Sequence, residues 1–182
     1  MIQPSKSIVK LGYQEYCSFP PDGRRHEIID GDHYVNPAPN TYHQTLSMRI
    51  AFQLYSQIEV NGLGRVFHAP TDVQLSDHDI VQPDLLVILS EKEIIITPTK
   101  IKGVPDLIVE ILSDSTKPMD LGLKKELYLR ADVPEYWIVD PEDHVLEQYA
   151  LQGQDYSLVG RHEQQVVFQG LKDVTVNLAE VW

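Results

Sequence analysis

Glu110 stands inside an apolar run, residues 105–112 (Pro-Asp-Leu-Ile-Val-Glu-Ile-Leu), whose two faces both read as buried strand. An ionised carboxylate there costs several kcal/mol unless a cation, a metal or hydrogen bonds compensate it. A similar run at residues 83–89 opens on Asp84. Strand alternation puts Asp84, Leu86 and Ile88 on one face of that run, and Asp106, Ile108, Glu110 and Leu112 on one face of the other. If the two runs are neighbours, an acid at the start of one and an acid inside the other can converge. Carboxylate oxygens without a thiolate suit a hard divalent cation, Mg²⁺ or Mn²⁺, better than zinc.

The segment after Glu110 supplies a cation. Plotted at about 100° per residue, a helix over residues 119–131 gathers Leu123, Leu127, Tyr128 and Ala131 into one apolar arc, with Asp120 and Lys124 inside it. Lys125, Glu126 and Arg130 fall towards its edges or outside. A lysine central to an apolar face must snorkel, pair or point into a polar site. Two readings stay open on spacing alone: a reactive site, or a buried structural ion-pair cluster of Glu110, Lys124 and Asp120. Glu27, just before Ile28 and Ile29, is a further carboxylate candidate, whereas His43 reads as a capping or surface residue. The remaining histidines lack metal-ligand spacing. His-Glu-x-x-His, Gly-x-Ser-x-Gly, the phosphate loop and the dinucleotide-binding glycine pattern are absent. Serine hydrolase, nucleotide triphosphatase and dehydrogenase readings are therefore poor. The single cysteine, Cys17, excludes an internal disulfide framework and reads as a small buried side chain.

These residues need elements to position them. Residues 1–11 read as a loosely held lead-in and 13–18 as a short helix ended by Pro20-Pro21-Asp22-Gly23. Residues 26–36 read as a hairpin turning at Asp30-Gly31. Asn40 or Thr41 can cap a long helix to about Val60, because Leu46, Ile50, Leu54 and Ile58 recur every four residues. Strands follow at 65–68 and 72–75, then the two acidic runs, the helix and a third strand at 135–140. Alternating strands fill the rest, with a helical turn at 179–182.

At 182 residues the chain suits one domain, spanning 1–182. Its 42% hydrophobic and 23% charged shares are those of a soluble globular protein. No apolar run approaches the roughly 20 residues that span a bilayer, and no signal-peptide core opens the sequence, so no membrane and a cytoplasmic setting are expected. The net charge of −12 argues against broad electrostatic attraction to nucleic acid, although a local basic groove can coexist with an acidic exterior.

Taken in order, His26–Gly31 residues His-Glu-Ile-Ile-Asp-Gly, Pro37-Ala38-Pro39, His43-Gln44, Gln82-Pro83-Asp84-Leu85, the 105–113 run, Asp120…Lys124…Tyr128 and the 133–141 run resemble the Uma-type restriction endonucleases. That family is a branch of the PD-(D/E)XK nuclease superfamily, and the similarity covers nearly the whole chain. The resemblance implies an α/β (α+β) fold, a restriction-endonuclease-like mixed β-sheet core flanked by helices, with extra β-hairpins. It implies Asp84, Glu110, Lys124 and Glu27 as catalytic residues, with Asp84, Glu110 and the carbonyl of Ile111 holding Mg²⁺ or Mn²⁺. Glu27 would be an accessory carboxylate acting through water. The superfamily lysine two positions after the acid is replaced here by Leu112, and Lys124 is the expected substitute. DNA is the implied substrate, and a homodimer would supply two sites for cutting both strands. Specificity would come from loops such as 91–102. The alternative is a catalytically silent nuclease-fold module that binds nucleic acid or a protein.

Overall fold

The computed structural model describes residues 9–182. Residues 1–8 of the expected lead-in lie outside the described residues. The rest of it is tied down, because Leu11 donates its N–H to Gly31 and Lys10 pairs with Asp30.

After the short helix α1 (Tyr13–Tyr16), strands β1 (Arg25–Ile29) and β2 (Asp32–Asn36) pair in register as a hairpin. Asp30 and Gly31 both take positive φ at its tip, the conformation that a tight hairpin turn demands. Helix α2 (Thr41–Ile58) starts where Asn40 accepts the His43 N–H at 2.8 Å. Strands β3 (Gly64–His68), β4 (Val73–Ser76), β5 (Asp79–Val81), β6 (Leu85–Leu89), β7 (Ile101–Lys102) and β8 (Leu107–Ile111) follow. A helical segment then leads to α3 (Lys125–Arg130), β9 (Glu135–Asp140), β10 (Val145–Gln152), β11 (Asp155–His162), β12 (Gln165–Val167) and β13 (Thr175–Asn177).

The main sheet has the order β11-β10-β9-β8-β6-β3. Among its pairings only β8 with β9 is parallel, joined by the helical crossover that ends in α3. Alternation sends Leu85, Val87, Leu107, Val109, Ile111 and Trp137 to one face, where Leu46, Ile50, Leu54 and Ile58 of α2 cover them. The opposite face, with Leu86, Ile88, Ile108, Tyr136 and Ile138, meets α3 and a second sheet ordered β2-β1-β5-β4-β7. The four-residue recurrence in α2 thus has a direct structural cause. Leu54→Ala removes a fully buried side chain from that layer. It should cost about 2–5 kcal/mol, read from the shift of the urea midpoint.

The helix after β8 is not uniform. Its stretch Met119–Lys124 is a wide π turn that runs directly into α3, where a regular α-helix over 119–131 was expected. Asp132, just past its end, has φ 57, the left-handed position where chains commonly place glycine. Cys17 is exposed rather than buried, because the four-residue helix it follows buries none of its residues. Residues 91–102 leave β6 at the end away from Asp84, where Lys92 pairs with Asp106. They therefore stand apart from the acids that a specificity loop would have to serve.

Candidate active site

The register Leu85↔Val109 in β6 and β8 brings Asp84 opposite Glu110, one step past the last pair. Asp84 Oδ2 accepts the Ile111 N–H at 2.9 Å, which fixes the end of β6 against β8. The two acids thus stand opposite each other on neighbouring interior strands and line one cavity. Asp106 instead accepts the Leu89 N–H at the far end of β8, as a strand-entry residue.

Glu110 belongs to a tight charge cluster. Lys124 Nζ lies 3.0 Å from Glu110 Oε1, 3.1 Å from Glu27 Oε1 and 3.6 Å from Asp120 Oδ1. Tyr128 donates its hydroxyl to Glu110 Oε1 at 2.6 Å. Glu27 reaches the cluster from the second sheet, and its other bonds come from Asn36 Nδ2 and the Gln82 N–H. Asp120 and Lys124 share a face of the π turn, and Asp120 Oδ1 is buried without a hydrogen-bond donor among the described residues.

All four of these charged side chains are buried, so their charges must balance. Three carboxylates around one ammonium leave two negative charges over. Burial pushes the Glu110 carboxyl up to about 8, against the pull of Lys124 and with help from Asp120, Asp84 and Glu27. Asp120 is raised to about 6, again chiefly by burial. Lys124 loses solvation too, but Glu110, Glu27 and Asp120 outweigh that loss and hold its ammonium well above the ordinary lysine range.

Asp84 has a different setting. Burial alone would raise its carboxyl, but the hydrogen bond and charge of His43, followed by Arg25, bring it down to about 2. His43 Nε2 lies 3.0 Å from Oδ2, and Arg25 Nη1 lies 2.6 Å from Oδ1. His43 is therefore a buried site residue and not a surface one. It continues the buried stripe of α2 by three residues back from Leu46, a signal that was available in the sequence. Arg25 was missed, although it sits two residues before Glu27 on the same face of β1.

A cavity of about 240 Å³ is lined by Arg25, His43, Asp84, Glu110, Asp120 and Lys124, and by residues 36–40 and 113–116 at its sides. Glu27 is not part of the lining; it reaches the site through Lys124. Among the described residues no group of three His, Cys, Asp or Glu side chains converges as a ready metal shell. The donor set nevertheless suits a hard divalent cation. Asp84, Glu110 and Asp120 bring carboxylate oxygens and no thiolate to the cavity, and Asp120 Oδ1 accepts no hydrogen bond there, only the more distant charge of Lys124.

A mixed sheet with this helical crossover, acids meeting at the ends of adjacent strands and a lysine from the crossover helix form a nuclease-like fold. A crystal structure of a putative nuclease belonging to DUF820, from Anabaena variabilis, matches with TM-score 0.77 and 18% identity, over 94% of this chain and 97% of that one. The type IIG restriction endonuclease BpuSI matches with TM-score 0.40 and 12% identity, over 66% of this chain and 12% of that one. The model of the Uma2 family, described as a putative restriction endonuclease, matches residues 13–179, and the chain belongs to that family. No curated protein matches. Among the described residues no helix is long and apolar enough to cross a membrane.

Proposed function

We propose that this chain is a DNA endonuclease that hydrolyses phosphodiesters with the help of Mg²⁺ or Mn²⁺. The observation that carries the reading is the charge balance of the buried cluster, in which three carboxylates share one lysine beside a cavity also lined by Asp84. Two uncompensated negative charges are met by one divalent cation or by two protons.

Asp84, Glu110 and the carbonyl of Ile111 would hold the ion. Ile111 already points its N–H at Asp84, and an extended residue directs its N–H and C=O to the same edge. When bound, the ion supplies a Lewis acid that lowers the pKa of a water and draws charge from the phosphate. Lys124 orients that water and stabilises charge building on the phosphoryl oxygens. Glu27 and Asp120 position Lys124, and His43 with its buried imidazole fixes the Asp84 carboxylate. Residues 36–40 and 113–116 flank the cavity and are the segments best placed to meet the DNA backbone. A homodimer would present two such sites for a double-strand cut.

The test is nicking or linearisation of supercoiled plasmid in Mg²⁺ or Mn²⁺, with none in EDTA. Failure to cleave DNA or RNA across pH and metal would remove this reading. A second reading, a non-cleaving binding module, draws support from the ion pair that Arg25 makes with Asp84. A titration that finds no carboxylate-dependent Mn²⁺ uptake would favour it.

A further inference from the structure

We propose that Arg25 is a substrate-binding residue, exchanging Asp84 for a backbone phosphate when a divalent cation takes over the Asp84 carboxylate. This inference rests on the nuclease reading above and adds the contact that holds the substrate.

The lining of the cavity contains two permanent cations, Arg25 and Lys124. Lys124 is 4% exposed and shared among three carboxylates, so it serves the reacting atoms from where it stands and does not reach out to dock the rest of the substrate backbone. Arg25 is 19% exposed and makes one side-chain hydrogen bond among the described residues, through Nη1 to Asp84 Oδ1. A guanidinium carries five N–H donors in a planar fork that matches two oxygens of a phosphate. Most of that capacity is unused against Asp84.

Asp84 can release Arg25 without being left bare. Its Oδ2 keeps His43 Nε2 and the Ile111 N–H, both on the side away from the guanidinium. A dication at Asp84 repels a guanidinium on the same carboxylate, so the two compete for Oδ1. A phosphodiester entering the cavity offers the displaced guanidinium a new anion. The hairpin also suits the role, because Arg25 opens β1 at the rim while Glu27, two residues on and on the same face, is fully buried against Lys124. Since the chain as a whole carries a net charge of −12, a local cation at the mouth is what a polyanion would find.

Metal and nucleic acid then favour each other's binding, and linkage makes the effect reciprocal. The test compares wild type, Arg25→Gln and Arg25→Lys, with folding checked by circular dichroism. Mn²⁺ uptake is read by calorimetry. Binding of a short fluorescent duplex is read by anisotropy in Ca²⁺ at several salt concentrations. Arg25→Gln should bind Mn²⁺ at least as tightly as wild type, because the competing cation is gone. Its duplex affinity should fall on the order of 10- to 100-fold, the effect of losing a charged hydrogen bond. The slope of log affinity against log salt should become shallower by about one unit. Arg25→Lys should recover the slope but not the full affinity, since it lacks the fork.

Weaker Mn²⁺ binding with unchanged duplex affinity and slope would overturn the proposal and leave Arg25 as a brace for Asp84. If Arg25→Gln does not fold, Arg25→Lys decides alone: reduced duplex affinity with normal Mn²⁺ uptake supports the exchange, and unchanged affinity overturns it. A wild type that cleaves DNA while Arg25 proves a brace sinks only this inference. A wild type that neither takes up Mn²⁺ nor cleaves sinks the nuclease reading with it.

Discussion

Glu110→Gln should abolish cleavage while leaving the fold at least as stable as wild type. The substitution keeps shape and one acceptor, so Tyr128 can still donate its hydroxyl to the side chain. It removes a buried negative charge that burial already disfavours, and Lys124 keeps Glu27 and Asp120 as partners. No stability should be lost in a urea melt. What goes is the anionic ligand inside β8. Metal-assisted stabilisation of the transition state is worth several kcal/mol, so plasmid cleavage should drop roughly 1000-fold or more. Substantial residual cleavage, or loss of the folded state, would count against the assignment of Glu110.

Lys124→Met should differ from Glu110→Gln in stability, losing the fold's stability as well as activity. Methionine fills the space of the lysine stem but strands three buried carboxylates. Leaving a buried charge without its partner costs about 3–5 kcal/mol, enough to unfold a marginal domain. That cost depends on pH. Glu110 and Asp120 are raised in the folded protein, to about 8 and about 6, so their contribution to stability is complete below the ordinary carboxylate range. It is lost as pH rises through those raised values. Asp84 works the other way. Its depressed carboxyl stabilises the fold above about 4, its ordinary value, and that contribution goes as pH falls towards 2. Wild type should therefore be most stable near pH 4, and Lys124→Met should fall further below it as pH rises above about 6, where wild type begins to ionise the cluster. Adding Mn²⁺ should restore wild-type stability at pH 8. Urea melts at pH 5 and 8, with and without the metal, check each part, and a pH-independent penalty for Lys124→Met would refute the charge argument.

Much of the site could be read from local pattern. Glu110 was visible because a carboxylate interrupts a run that alternation marks as buried on both faces. Asp84 came from the family resemblance, because alternation alone put Asp106 on the same face as Glu110; the pairing of β6 with β8 sets Asp84 opposite Glu110. Lys124 was visible because it breaks an apolar arc. What the pattern did not reach was the second sheet. Arg25 meets Asp84 across 59 positions of sequence, and no periodicity links them. Helical plots also assume a constant rotation per residue, so they could not show that Met119–Lys124 winds more widely. The short strands β5 and β7 escaped for a similar reason. With three and two residues they are too brief for alternation to register, and pairing with β4 is what makes them strands.

The wide turn at Met119–Lys124 has a consequence for how such a site can change over time. A π turn is what remains when one residue is inserted into an α-helix, and deleting one, such as Gly122, would heal it. Healing would also rotate everything before the deletion by about 100° relative to α3. Lys124 and Tyr128 would stay on Glu110, but Asp120 would swing off the lysine it now faces. The shorter helix would be the better helix. It would also be one acid poorer, so a lineage that dropped the extra residue would keep the scaffold and shed a buried negative charge in a single step.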